Sequence, residues 1–134
     1  NISLAQRLVR KLCENCKKEV PLEGKKKEII DKILANVPDP AYLEGVQRAH
    51  VWEALGCGKC NNIGFLGRIG VFEAVLIDNE IEKAVIQNPS ERDIREAAKG
   101  QKLLGLVEDG VIKVLKGVTT LEELDRVVDL SSID

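Results

Sequence analysis

The sequence predicts an α+β fold in two parts. A small cysteine-stapled subdomain with short strands is expected over residues 1–77. An all-helical subdomain is expected over residues 78–134. Three observations predict this. Four cysteines fall into two matched C-x-x-C turns, Cys13 with Cys16 and Cys57 with Cys60. Glycines and β-formers gather around the second turn. Beyond residue 78 the aliphatic residues recur at helical spacing, whereas every cysteine and every aromatic lies before it.

Taken in order, residues 2–12 read as a helix, because Ala5, Leu8, Val9 and Leu12 recur three and four apart. The first cysteine turn follows, and Pro21 and Gly24 interrupt regular structure. Lys25–Lys27 opens a second helix to about residue 36, with Ile29, Ile30, Ile33 and Leu34 on one face. Pro38 and Pro40 end it. Residues 41–48 suggest a short helix. His50–Leu55 alternates and reads as a strand, and Cys57–Cys60 as a tight turn. Gly64, Gly67 and Gly70 ask for backbone freedom, and Val71–Ile77 reads as a strand.

The remainder reads as helices. Asn79 with Glu82 and Ser90 with Asp93 are start signals. Leu103, Leu104, Val107, Val111, Val114 and Leu115 form one apolar face that ends near Gly117. Thr120 with Glu123 starts a last helix, with Leu121, Leu124, Val127 and Val128 inward. The acid pair Glu122-Glu123 is given a capping role.

Composition excludes several functions. Apolar residues at 44% exclude a disordered chain. Aromatics at 3% (Trp52, Tyr42, Phe65 and Phe72) argue against stacking of single-stranded bases. The net charge of −2 gives no field that favours nucleic acid or anionic membrane. It divides unevenly: nine basic residues against five acids through Lys32 leave +4 there and −6 in the remainder. Opposite ends of this kind suit head-to-tail docking, or are simply solvated faces. No run approaches the roughly 18 apolar residues of a membrane span. The first residues, Asn1–Arg7, do not resemble a signal peptide. A reducing, cytoplasmic setting is therefore expected. No methionine occurs, even at position 1, so the chain is expected to be part of something longer.

The cysteines carry the chemistry. Four soft thiolates suit a tetrahedral Zn²⁺ with bonds of about 2.3 Å. With Cys13, Cys16, Cys57 and Cys60 all as ligands no position stays open for water, so the ion would be structural. A disulfide framework would need an oxidising compartment. A thioredoxin-like pair accounts for one turn and not for two. Lys11, Lys17, Lys18, Lys59 and Arg68 neighbour the cysteines and are candidates to neutralise the thiolates or bond to them; as single residues they read as surface cations.

No phosphate-binding G-x-x-x-x-G-K-[ST] loop and no dinucleotide fingerprint occurs. The one histidine, His50, is expected to be a satisfied strand residue. No catalytic constellation is evident. From chemistry alone this is a zinc-stapled binding or scaffold module.

Gly56-Cys57-Gly58-Lys59-Cys60, followed by Gly64-Phe65-x-Gly67-Arg68-Ile69-Gly70-Val71-Phe72-Glu73, resembles the tetracysteine segment of the type II secretion and type IV pilus assembly ATPases. Ala5–Leu12 with Cys13-x-x-Cys16 resembles the family's helix that leaves the ATPase core and delivers the first cysteine pair. Glu108-Asp109-Gly110 and Gly117-Val118-Thr119-Thr120-Leu121-Glu122-Glu123-Leu124 resemble its closing motifs. Asn62-Ile63 stands where that family usually has Gly-Thr, and Glu14-Asn15 where Pro-His is commoner. The resemblance implies the non-catalytic C-terminal part of a hexameric ATPase, with ATP and Mg²⁺ bound only in the parent. It implies contact with the parent's ATPase core, with neighbouring subunits and with an inner-membrane platform protein, on the cytoplasmic side. No nucleic-acid partner is expected. The alternative is a stand-alone zinc module that binds nucleic acid or protein through its +4 end.

Overall fold

A computed structural model of the chain describes residues 2–76 and 104–130. The elements run β1 (Ile2–Leu12), β2 (Lys18–Pro21), α1 (Gly24–Leu34), a 3-10 turn (Pro40–Leu43), β3 (His50–Glu53), a 3-10 turn (Gly58–Cys60), β4 (Phe65–Leu76), α2 (Leu106–Leu115) and α3 (Leu121–Val127). This is an α+β arrangement, with antiparallel strands around the cysteines and helices after them. The helices expected from Asn79 and Ser90 lie outside the described residues. Among the described residues no helix is long and apolar enough to cross a membrane.

The first element corrects the sequence reading. Residues 2–12 form a strand, not a helix, and β1 pairs antiparallel with β4 from Ile2↔Leu76 to Leu12↔Phe65. The register shifts between Arg10 and Leu12, where two steps of β1 face three of β4 from Arg68 to Phe65, so the extra residue lies in β4. Val9 and Leu12, three apart on an alternating strand, lie on opposite sides of β1 and are both buried, while Leu8, which helical spacing placed inward, is 49% exposed. A partner strand sixty residues away outweighs a local periodicity that fits either state. That partner, β4, starts at Phe65, six residues before its expected start, because the Gly67 and Gly70 positions are absorbed into the strand.

The second sheet, β2 with β3, was half expected. Lys18↔Glu53, Glu19↔Trp52, Val20↔Val51 and Pro21↔His50 pair antiparallel. Sequence reading found β3 but not the four-residue β2, which lacks alternation. Pro21 stands at its last position, where a missing donor is tolerated.

One aliphatic core joins these pieces. It holds Val9 of β1, Ile30 and Ile33 of α1, Val51 of β3, Val71 of β4, Val111 and Val114 of α2, and Leu124 of α3. Each such side chain contributes about 1.5–3 kcal/mol on full burial. The core thus draws on residues from both sides of position 78. Gly110 of α2 is buried, and a Cβ there would meet the Leu124 side chain, so the two helices approach closely at that glycine.

Candidate metal centre

The sheets deliver the cysteines. β1 ends at Leu12, whose N–H donates to Val118 O at 2.8 Å, and Cys13 N–H then donates to Gly64 O at 3.0 Å. The first turn closes with Cys16 N–H and Lys17 N–H on Cys13 O, at 3.3 and 3.0 Å. The second closes with Cys60 N–H and Asn62 N–H on Cys57 O, at 3.3 and 2.8 Å. Asn61 and Asn62 sit at φ 54° and 61°. That left-handed region favours glycine, and asparagine tolerates it. Asn62 thus fills the position where a glycine was the usual residue.

These turns bring all four predicted ligands together. The Sγ atoms of Cys13, Cys16, Cys57 and Cys60 lie within 4.8 Å of one another. The Cys13–Cys57, Cys16–Cys60 and Cys57–Cys60 separations are each 3.8 Å. All four are free thiols, since a disulfide would need about 2.05 Å. A tetrahedron with bonds of about 2.3 Å has edges of about 3.8 Å. The four sulfurs could therefore hold one metal ion.

The groups around the sulfurs suit thiolates. Gly56 N–H donates to Cys16 Sγ at 3.3 Å, Cys57 N–H to Cys60 Sγ at 3.3 Å, and Gly64 N–H to Cys60 Sγ at 3.2 Å. Asn15 Nδ2 donates to Cys57 Sγ at 3.3 Å. That amide is the chief reason the Cys57 thiol is pulled down to about 6, against the opposing effect of burial. Burial pushes Cys60 up, but the Gly64 and Cys57 N–H bonds outweigh it, so its thiol is lowered. Burial prevails at Cys16, which rises to about 11 despite the Gly56 bond. Proton loss at such a site accompanies metal binding.

Of the cations named from sequence, Lys17 plays another part. Lys17 Nζ donates to Gly117 O at 3.0 Å and Glu14 Oε1 at 3.1 Å, and sits 5.5 Å from the Trp52 ring centroid. It ties the first turn to the end of α2. Among the described residues, the N–H donors to sulfur are backbone amides and the Asn15 side chain. Sequence reading missed Asn15, although a short amide inside a C-x-x-C turn was the available signal. His50 lies in β3, with Nδ1 3.6 Å from Glu19 Oε1. Glu123 departs from its assigned role. Its backbone N–H caps onto Thr120 Oγ1 at 3.1 Å, but its carboxylate is buried and binds Arg10 and Arg126.

The family described as Type II/IV secretion system protein matches residues 1–126. The chain is 35% identical over 128 residues to the type IV pilus assembly ATPase PilB of Thermus thermophilus, covering 90% of this chain and 13% of that protein. It is 36% identical over 124 residues to the type II secretion system protein HxcR of Pseudomonas aeruginosa, covering 92% and 20%. It is 32% identical over 124 residues to the type II secretion system ATPase E of Vibrio cholerae, covering 92% and 22%. The chain thus spans about an eighth to a fifth of the length of these relatives. With the match running through both cysteine turns and both helices of the C-terminal motifs, the chain belongs to the type II/IV secretion system protein family.

Proposed function

We propose that this chain is the zinc-binding, non-catalytic part of a hexameric ATPase that powers type II secretion or type IV pilus assembly. Cys13, Cys16, Cys57 and Cys60 would hold the ion through their thiolates. Zn²⁺ would supply a rigid cross-link, not Lewis-acid chemistry, because four protein ligands leave no open position. ATP and Mg²⁺ would bind elsewhere in the parent.

The observation that carries this reading is the four-sulfur cluster at 3.8 Å spacing in a chain of this family. The cluster joins the end of β1 to the start of β4. A clamp there makes the ribbon and the helices packed on it move as a unit. A unit of that kind can pass a displacement from the parent's ATPase core to neighbouring subunits and to an inner-membrane platform protein, on the cytoplasmic side. In this reading residues 1–77 carry the metal and residues 78–134 supply the helical element that packs on it.

Metal analysis of the purified chain tests the first half. One zinc per chain is expected, with thiols that become titratable only after chelation. A metal-free chain with four freely titratable thiols would refute it. ATP turnover by the chain alone would refute the non-catalytic half.

A further inference from the structure

The C-terminal end of α2 is held by residues that flank the cysteines. The helix closes with Gly117 N–H on Val114 O and Val118 N–H on Lys113 O, both at 3.1 Å. Gly117, at φ 78°, takes the left-handed position of such a cap. Carbonyls at and beyond a helix end need donors from elsewhere. Leu115 O accepts from Gln47 Nε2 at 2.6 Å, Gly117 O from Lys17 Nζ at 3.0 Å, and Val118 O from Leu12 N–H at 2.8 Å. Leu12 immediately precedes Cys13, and Lys17 immediately follows Cys16. The junction between α2 and α3 is therefore fastened to both ends of the first cysteine turn.

The two fastenings differ in what holds them. The Leu12 amide belongs to β1, which pairs with β4 as far as Phe65. Lys17 lies between β1 and β2, and the turn itself places it, through its N–H on Cys13 O at 3.0 Å. Its side chain is only 17% exposed. Nζ meets Gly117 O, the Glu14 carboxylate and the Trp52 ring. Glu14 is 77% exposed, so that pair adds little. The negative end of α2 is the partner that favours a cation here. Gly117 completes the fit: a Cβ there would lie 3.1 Å from Lys17 Nζ and 3.2 Å from Cδ2 and Cε3 of Trp52.

We propose that Lys17 is a positioning residue that couples the metal centre to the α2–α3 junction. Metal bound by Cys13 and Cys16 fixes the first turn, the turn fixes Lys17, and Lys17 holds Gly117 O. Loss of the metal loosens the turn and releases the junction while the strands and α1 stay folded. Such a coupling is reciprocal: the docked junction tightens metal binding by the factor by which the metal tightens the junction. The inference rests on the metal reading of the four cysteines and names the side chain that carries the state of that centre to the helices.

Amide hydrogen exchange on the 134-residue chain, zinc-loaded and after chelation, tests it. The Gly117 and Val118 amides are the reporters, and the amides within α1 are the reference. Chelation should speed exchange at Gly117 and Val118 roughly tenfold more than within α1. Lys17→Met keeps an aliphatic stem beside Trp52 and all four sulfurs, but removes the donor. The zinc-loaded Lys17→Met chain should exchange at Gly117 and Val118 as fast as the chelated unaltered chain. Its zinc affinity should fall by the same roughly tenfold factor. Lys17→Arg, which retains a cationic donor, should recover part of both effects.

Zinc binding with no effect of chelation on Gly117 and Val118 overturns the coupling and leaves the metal reading standing. Equal loss of protection at the junction and within α1 does the same, because the metal is then a general staple. Protection by zinc that persists in Lys17→Met assigns the link to Leu12 and overturns the role of Lys17. A chain that binds no zinc overturns the metal reading and the coupling with it.

Discussion

Glu123 of α3 grips Arg10 of β1 across 113 residues of sequence, through both the backbone and the guanidinium of the arginine. Arg10 N–H donates to Oε2 at 2.8 Å, and Nε and Nη2 donate to Oε1 at 3.2 and 3.0 Å. Arg126, one turn along α3, adds Nε to Oε1 at 3.1 Å and Nη2 to Oε2 at 2.9 Å. The Arg10 guanidinium also lies 4.4 Å from the Phe65 ring centroid. The Glu123 side chain is 2% exposed, whereas those of Arg10 and Arg126 are 43% and 58% exposed. One buried carboxylate thus fastens the last helix to the ribbon that delivers Cys13.

Glu123→Ala removes the shared partner and opens a small cavity. Losing one member of a buried pair costs about 3–5 kcal/mol. Here the arginines can turn to water, so about 2–3 kcal/mol is expected. Glu123→Gln keeps an acceptor for Arg10 N–H and should lose less, about 1–2 kcal/mol. Urea midpoints of the two variants would check the order. Equal midpoints for Glu123→Ala and the unaltered chain would mean that the bond network adds nothing to the docking of α3.

The same group predicts an acid dependence. Burial raises the Glu123 carboxyl, but the bonds from Arg126 and Arg10 outweigh it and hold the group down at about 2. A carboxyl depressed on folding stabilises the fold above its ordinary value near 4.3, and that stability is lost as pH falls through the folded value. The loss should fall between about pH 5 and pH 2, and should approach 3 kcal/mol at most. Measuring stability against pH in the unaltered chain and in Glu123→Gln isolates it. The difference between the two curves should shrink as pH falls through this window, and a constant difference would contradict the assignment.

These contacts mark what the sequence could and could not disclose. The four cysteines were legible because ligand type and spacing are local. So were α1, α3 and the Thr120 cap, since capping and aliphatic spacing act within a turn or two. β1 was misread because Val9 and Leu12 are both buried although they lie on opposite sides of the strand, and the pairing with Ile69 and Phe65 that makes it a strand is contained in no window around residue 9. β2 is too short to alternate. Glu123 looked like a capping residue because its backbone does cap, whereas its carboxylate answers to a distant strand. Lys17, one of five candidates to neutralise the thiolates and as a single residue a surface cation by sequence, reaches Gly117 O, a partner that exists only once α2 has docked.

Glycines in the second cysteine turn should separate into essential and silent ones. Gly56 has φ 121°, and a Cβ there would lie 2.8 Å from Asn62 O. Gly64 has φ 89°, and a Cβ would lie 2.7 Å from Ala54 Cβ and 3.3 Å from the Ala54 backbone. Both positions combine a left-handed backbone with close contact, so alanine there must distort the turn. Gly58 has nothing within 4 Å of an added Cβ. Competition with a chromogenic chelator should show zinc binding weakened roughly tenfold or more by Gly56→Ala and Gly64→Ala, with Gly58→Ala unchanged. Equal loss at all three would point to general destabilisation and not to the geometry of the sulfurs.

Asn15 offers the sharpest test of the surroundings of the cluster. Its amide is the main influence that lowers the Cys57 thiol to about 6. Asn15→Ala removes a donor without touching a ligand, a core residue or the sheet, so the fold should persist. In the metal-free chain the Cys57 thiol should then move up toward the ordinary thiol range, and the pH midpoint of its alkylation should rise with it. Zinc binding should weaken by about tenfold, as is usual when a partner behind a metal ligand is lost. The deficit should be larger at pH 6 than at pH 8, because the variant must give up a proton that the unaltered Cys57 has already partly released. Asn15→Asp, which places a carboxylate beside the sulfur, should raise the midpoint further. An alkylation midpoint unmoved in both variants would show that the amide does not set the state of Cys57, and that the backbone amides of the second turn do so alone.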